Sequence, residues 1–399
     1  MAVFALGFRP FYLAASGFAA LAVPLWVAQY HGLFFVDGAV SGAAWHAHEM
    51  VFGFATAVLA GFLFTAVRQW TGQPTPAGGV LAALVGLWAA GRILVVVGPA
   101  GVAAVVDGAF LPAVAVAVAV PILRSGNRRN LFVVVLVGVL AAANLVFHLD
   151  HLGMVRAGLG GQAVRLAFDV LAILMAVIAG RVVPMFTRNA VPAARPRRLP
   201  PIEVTALGAL FAILAIDALD MAGIRWAGVR WVDIRWAGSA MVIAALAGIG
   251  AVAHAARLWL WDPLATRREP LLWCLPLAYA WLPVALALRA AGAVTDALPP
   301  ALGEHALGVG AMGGLMLAMM TRSALGHTGR ALRAGPAETA AYLLVQAAAL
   351  LRVVCPLVVP DHGTVALALS SICWSAAFLL FFARYWPILT RPRPDRRSG

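Results

Sequence analysis

The sequence predicts an all-α integral membrane protein with about twelve transmembrane helices. Of its 399 residues, 63% are hydrophobic and only 11% are charged, whereas a soluble domain is closer to half apolar. The charges fall mostly between apolar runs of about twenty residues, which is the length that crosses a bilayer as a helix. These two observations together predict a polytopic membrane protein.

Twelve apolar runs account for nearly the whole chain. Each run is long enough to span the hydrocarbon core, and most are bounded by arginine, proline or glycine. Only residues 98–101 (Gly-Pro-Ala-Gly) separate the third run from the fourth. The runs lie at about 10–30, 45–67, 79–97, 101–123, 131–152, 162–187, 203–221, 236–260, 270–291, 301–322, 337–358 and 364–388.

The arginines predict the side of the membrane on which each loop lies. The chain has no lysine, so its net charge of +13 comes from arginine. With the amino terminus inside, most arginines fall in cytoplasmic segments, including a basic tail at 389–399. We therefore expect both termini in the cytoplasm. The charge indicates orientation in membrane lipid and does not indicate a nucleic-acid partner.

A comparison of the helices with one another suggests internal repeats. Helices two and ten align without a gap, because His48 matches His305, 257 residues later, and Gly53 and Gly310 match at the same offset. We interpret the chain as one integral membrane domain, 1–399, built from three four-helix units near 1–130, 131–265 and 266–399. Chance agreement within low-complexity apolar sequence is the alternative.

Residues 45–50 (Trp-His-Ala-His-Glu-Met) carry the most informative polar groups. They place His46, His48 and Glu49 at the head of an apolar run. Burying ionisable groups in hydrocarbon is costly, so such groups usually face a cavity, a partner or a metal. The segment is therefore the first candidate for chemistry.

Five histidines from three helices fall at one membrane depth when this orientation is applied. Imidazole is a common ligand of haem iron, copper and zinc, although a lone intramembrane histidine often only hydrogen-bonds a neighbouring carbonyl. Glu49 and Glu304 lie at the same depth and are candidate proton carriers. The five are His46 and His48 in helix two, His148 and His151 in helix five, and His305 in helix ten.

Helical phase suggests how these histidines are used. His48 and His305, matched in the repeat comparison, are the predicted pair of axial ligands for a haem. His46 lies about 200° from His48 around the helix, so the two would serve different centres, or one would support the other. His46 shares a face with Glu49, which allows this carboxylate to orient a ligand imidazole or to accept a proton. His148 and His151 also share a face and could hold a copper or a second haem.

Other polar residues leave two interpretations open. His327 lies in residues 325–330 (Leu-Gly-His-Thr-Gly-Arg), where the glycines permit either close approach to a ligand or a tight turn. His254, near Arg257, is expected at the level of the lipid headgroups. Arg92, Arg165 and Arg289 either pair with haem propionates or extend to the interface.

Six stretches of the chain follow the pattern of a known family, namely 7–11, 45–53, 61–66, 184–188, 304–307 and 320–330. On these stretches the chain resembles the NnrS family, membrane proteins associated with haem, copper and bacterial responses to nitric oxide. The resemblance extends over the whole chain. One departure concerns Pro276, where the family pattern has a histidine, so one site is absent or built differently if that histidine is a ligand.

The resemblance implies a protein of the bacterial cytoplasmic membrane that carries one or two haem b groups and a possible copper ion. It would bind nitric oxide and reduce it as an oxidoreductase, with electrons from an unknown donor. A non-enzymatic nitric oxide sensor or protective protein is the first alternative. A proton-coupled transporter is the second, although the histidines lie at the outer end and not at the midplane.

A second, architectural resemblance is to the catalytic subunit of haem-copper oxidases, which also has twelve helices in three arcs. That family includes nitric oxide reductases. Helix seven has no histidine pair here, so the copper site of those enzymes is not reproduced. This similarity bears on the fold more than on the reaction.

Overall fold

A computed structural model describes residues 2–34, 38, 40, 42–223 and 235–394, so the end of the predicted basic tail, 395–399, lies outside the described residues. Within this part of the chain, twelve helices are long and apolar enough to cross a membrane, as the sequence predicts. They are α1 (Phe8–Tyr30), α2 (Gly42–Thr71), α3 (Gly78–Val97), α4 (Ala100–Arg124), α5 (Arg128–His151), α6 (Leu159–Ala190), α7 (Pro200–Met221), α8 (Ala240–Leu260), α9 (Pro270–Gly292), α10 (Pro300–His327), α11 (Pro336–Val358) and α12 (Pro360–Thr390).

Proline and glycine set many of the helix ends. Proline is the first residue of α7, α9, α10 and α11, a position where its missing N–H leaves no hydrogen bond unmade. After α2 the chain turns at Gly72, whose φ of 66° lies in the left-handed region that glycine adopts without steric cost. Its N–H donates to the carbonyl of Arg68. The same residues that bound the apolar runs in the sequence therefore end the helices.

The contacts divide the chain into two compact units. Unit 1 comprises the described residues within 1–167, 319–341 and 371–399, which include α1 to α5. In it α1 packs on α2, α3 packs on α4, and α4 packs on α5. Unit 2 comprises the described residues within 168–318 and 342–370, and there α8 packs on both α7 and α9. The three four-helix units of the sequence comparison stay a prediction.

The spans differ in how much of their surface the protein covers. Within an 18-residue apolar window of each helix, 83% is buried inside the protein in α2, whereas the share in α3 is 28%. The outward face of α3 presents large apolar side chains such as Ile93 and Val97, as expected of a helix that contacts lipid. The polar residues at the start of α2 are thus carried by a helix that lies inside the protein.

Two spans contain a stretch of π-helix, the wider form in which each N–H bonds five residues back. In α2 it covers Glu49–Ala55, immediately after His48. In α10 it covers Ala306–Gly313, immediately after His305. The two stretches begin 257 residues apart, which is the offset that aligns α2 with α10 in the sequence. π-Helical stretches are often found at functional sites, and both follow a predicted ligand histidine.

Candidate metal centre

His48 and Glu49 are fully buried at the junction between the α-helical and π-helical parts of α2. His48 Nδ1 lies 2.9 Å from Glu49 Oε1, so this carboxylate accepts the Nδ1 proton. Glu49 therefore contacts His48, a pairing that helical phase did not predict, and its predicted role toward His46 stays a prediction.

The other ring nitrogen of His48 faces α4 and α5. His48 Nε2 lies 2.9 Å from Asn144 Oδ1 and 3.2 Å from Asp107 Oδ2. Asn144 donates from Nδ2 to the same Asp107 oxygen at 2.8 Å, which directs its own carbonyl oxygen toward the imidazole. His148 Nε2 also donates to Asp107 Oδ2, at 2.8 Å. Three spans therefore meet at one carboxylate oxygen.

Arg92 of α3 joins the two carboxylates of this cluster. Its Nη1 donates to both oxygens of Glu49 at 2.8 Å, and its Nη2 forms an ion pair with Asp107. Arg92 therefore pairs with two buried carboxylates of the protein, and its pairing with a haem propionate stays a prediction. Burial of these charges is tolerable because each has an opposite partner and several hydrogen bonds.

The cluster has the donor set of a metal site. One atom each from His48, Asp107 and His148 can be chosen so that all three lie within 4.8 Å of one another, and all three residues are buried. Two imidazoles and a carboxylate suit first-row transition metals such as iron, copper and zinc. The sequence had identified His48 and His148 but not Asp107.

His46 lies outside this cluster. Its ring stacks on Trp26 of α1, with centroids 4.2 Å apart and planes 20° from parallel. His151, one turn beyond His148, contacts the carbonyl of Phe147 through Nδ1 at 2.9 Å. His46 and His48 thus contact different partners, as their separation around the helix suggests.

His305 and Glu304 belong to unit 2. His305 Nδ1 donates to the carbonyl of Ala301, one turn earlier, at 2.6 Å, and Arg352 contributes positive charge nearby. A backbone carbonyl on one ring nitrogen is a common way to orient an imidazole that binds metal through the other. Glu304 is partly buried.

His327 ends α10 in unit 1. Its ring packs against Phe8 with centroids 5.7 Å apart, and its carbonyl accepts a hydrogen bond from Arg393 at 3.0 Å. Gly329 follows with a φ of 69°, so the tight turn is the interpretation of this motif that the backbone supports.

Two polar groups in unit 2 have partners that the sequence did not predict. His254 is fully buried and pairs with the Tyr279 hydroxyl at 2.6 Å, while its expected position at the headgroup level stays a prediction. Arg289 donates to Asp169 at 2.7 Å and to Asp217 at 2.6 Å. Each of these residues is a lone polar group in an apolar run, which was the signal available in the sequence.

A family model described as NnrS protein matches residues 2–393, nearly the whole chain. A search of curated proteins found no match.

Proposed function

The chain belongs to the NnrS family, and we propose that it binds nitric oxide at a metal ion held by His48, Asp107 and His148. Membership links the protein to the bacterial response to nitric oxide. The reaction that we favour is reduction of nitric oxide, with electrons from a separate donor. We also propose that the protein lies in the bacterial cytoplasmic membrane with both termini in the cytoplasm, because the arginines favour that orientation.

One observation carries the proposal: both ring nitrogens of His48 face oxygen acceptors. Nδ1 faces Glu49, while Nε2 faces Asn144 and Asp107. A neutral imidazole has only one N–H, so one nitrogen would direct a lone pair at oxygen. A metal ion held by His48 and Asp107 would remove this conflict for the neutral ring, whereas a doubly protonated ring would instead donate to both carboxylates.

The distances fit such an ion after a small adjustment. Two ligands of a tetrahedral metal ion at the usual bond lengths lie about 3.3 Å apart. Asp107 Oδ2 lies 3.2 Å from His48 Nε2 and 2.8 Å from His148 Nε2. A movement of a few tenths of an ångström would open the required space, and the ion would replace the protons that now join these atoms.

The surrounding side chains support the three ligands. Glu49 holds the Nδ1 proton of His48, which fixes the ring orientation and raises its basicity toward a metal. Arg92 holds Glu49 and Asp107 in place, and Asn144 positions Asp107. A bound transition metal supplies a coordination position for nitric oxide and a route for electrons. We propose Glu49 and Glu304 as proton carriers at this depth.

A haem remains part of the proposal. The donor chemistry of His305 fits an axial ligand, because Nδ1 is held by the Ala301 carbonyl. Pairing of His305 with His48 would require His48 to leave its present partners, so we favour His48 in the metal cluster and His305 on the haem. Haem b with His48 and His305 as axial ligands, a second haem, copper as the cluster metal, and ligand roles for His46 and His327 are the other assignments to test.

A non-enzymatic nitric oxide sensor is the second candidate, because the cluster is equally suited to binding without turnover. It differs from the first in predicting a spectrum that shifts with nitric oxide but no loss of nitric oxide in the presence of an electron donor. A transporter would instead show uptake that depends on a proton gradient and no bound haem.

The test compares two histidines of one helix. We would purify the full-length protein, His148→Ala and the matched control His151→Ala, and measure metal content, the haem absorption spectrum and nitric oxide consumption. His148→Ala should lose the non-haem metal, while His151→Ala should retain it, because His151 contacts only its own helix and the Phe147 ring among the contacts described. His305→Ala should lower haem content instead.

The outcomes separate the assignments. Equal metal content in wild type and His148→Ala would exclude the cluster as a metal site. Loss of haem from Asp107→Asn would show that the cluster and the haem share a ligand, which favours the axial pair of His48 and His305. Unchanged nitric oxide levels with intact haem and metal would favour the sensor.

A further inference from the structure

Two stretches of the sequence that carry the family resemblance, 7–11 and 325–330, take no part in the metal cluster but meet in unit 1. The ring of Phe8 packs on that of His327, and Arg393 donates to the His327 carbonyl. The start of α1, the end of α10 and the end of α12 are therefore neighbours. All three ends carry arginine.

Arg9 is buried at this junction, with only 2% of its surface exposed. Its Nη1 donates to the carbonyls of Leu389 and Arg391, at 3.1 and 2.8 Å. Its Nε is buried and has no hydrogen-bond partner within the described residues. Because a guanidinium has five N–H donors, Arg9 retains donor capacity after its two carbonyl contacts. A buried cation with unused donors is a place where an anion would be stabilised.

Further positive charge surrounds Arg9. Arg330 and Arg393 both act on it electrostatically, and Arg391 acts on Arg330. Burial and the charge of Arg391 lower the pKa of Arg330. Among the ion pairs of the described residues, none joins Arg9 or Arg330 to a carboxylate. Like charges at close range repel, so this group would be stabilised by a bound anion.

The backbone positions Arg330 at the end of α10. Gly329 adopts the left-handed conformation, and the Arg330 N–H reaches back to the Leu325 carbonyl at 3.0 Å. This is the usual glycine-ended helix terminus, which reverses the chain abruptly. The turn that sequence reasoning weighed as a ligand loop thus brings an arginine toward Arg9.

We propose that Arg9, Arg330, Arg391 and Arg393 form a binding site for a phosphate group at the arginine-rich face of the membrane. Arginine matches phosphate with paired N–H donors, and basic pockets between transmembrane helices bind anionic headgroups. The phosphate comes either from an anionic phospholipid or from free phosphate in solution. Bound there, it would link the ends of α1, α10 and α12.

The experiment uses the delipidated full-length protein in a neutral detergent. Binding is measured by native mass spectrometry and by the shift in Tm on adding phosphatidylglycerol, phosphatidylcholine or inorganic phosphate at constant ionic strength. Wild type is compared with Arg330→Gln, Arg393→Gln and a control, Arg124→Gln, whose arginine is exposed at the end of α4. Arg330→Gln leaves the Arg9 contacts with α12 intact, so folding is not at risk in the way that Arg9→Gln would be.

We expect phosphatidylglycerol to bind wild type and raise its Tm, and phosphatidylcholine to do neither. Arg330→Gln should weaken binding about fivefold, the effect of one basic residue near an anionic surface, while Arg124→Gln should not change it. Binding of phosphatidylglycerol alone identifies a lipid site, and binding of inorganic phosphate identifies a soluble ligand. Equal binding by wild type and both site variants, or equal loss in Arg124→Gln, would overturn the proposal.

Discussion

The two π-helical stretches share a backbone form but differ in what surrounds them. Each follows a histidine, His48 or His305, at corresponding positions of α2 and α10. The first is surrounded by an ionic network of Glu49, Arg92 and Asp107. Beside the second, the Trp281 indole donates to Gln346 at 2.8 Å and packs against Gly310. The same backbone form therefore lies beside an ionic network in α2 and beside an indole bonded to an amide in α10.

The matched glycines show the same contrast. A Cβ added to Gly53 would lie 2.9 Å from Arg92 Nη1 and from Glu49 Oε2. A Cβ added to Gly310 would collide with the Trp281 ring. Glycine is required at both positions for space, but the neighbour is ionic in one case and aromatic in the other. The sequence alignment of α2 with α10 thus corresponds to a shared need for close packing.

The largest expected loss of stability comes from removing the Arg92 guanidinium in unit 1. Arg92→Leu leaves Glu49 and Asp107 buried without their guanidinium partner, which should lower the free energy of unfolding by about 3–5 kcal/mol. Detergent-based unfolding followed by circular dichroism measures it. Arg165→Leu is the control, because Arg165 is exposed in the same unit. Equal losses in the two variants would remove the ionic cluster as the distinguishing feature of this region.

A smaller loss of stability is expected from adding a side chain at Gly310, in the π-helical stretch of α10. Gly310→Ala forces the Trp281 ring to move and should cost about 1–3 kcal/mol, as overpacking of a tight core does. Gly308→Ala, in the same π-helical stretch, is the control, because its added Cβ would lie 3.4 Å from the Phe168 ring, an ordinary contact. The comparison of Tm values tests this, and a Gly310→Ala variant as stable as Gly308→Ala would contradict the packing argument.

The smallest effect concerns one hydrogen bond beside each stretch. Trp88 donates to the Gly53 carbonyl at 2.9 Å, and Trp281 donates to Gln346. Replacement of either tryptophan by phenylalanine should cost about 1 kcal/mol for the hydrogen bond, in addition to the lost ring area. Similar shifts in Tm for the two variants would indicate that both π-helical stretches depend equally on their neighbouring tryptophan. A several-fold difference would show that one depends far more on its tryptophan.

Much of the fold was predictable because the length of the apolar runs largely determines it. A hydrocarbon core requires about twenty apolar residues per helix, and that length is directly visible in the chain. The predicted runs correspond in order to the twelve spans of the described residues. The π-helical stretches were not predicted, since one extra residue in a helical turn leaves the apolar pattern almost unchanged.

The site was predictable only in part. His48, Glu49 and His148 were identified because ionisable groups in apolar helices are rare. Asp107 and Asn144 are also rare polar residues in apolar helices. Their role depends on how α2, α4 and α5 pack against one another, and the residues next to them in the sequence do not show this. The contact of Glu49 with His48 was also not predicted, because helical phase describes residues three or four apart and not adjacent ones.

The π-helical stretch of α2 also has a consequence for how the wider turn itself can be gained or lost. A π-helical turn is related to an α-helical one by the insertion of a single residue. Because the extra residue is taken up within one turn, deleting one residue between Glu49 and Ala55 would restore regular α-helix while His48 keeps its direction relative to the rest of the span. A deletion of one codon would thus remove the wider turn beside His48 while leaving the helix able to cross the membrane.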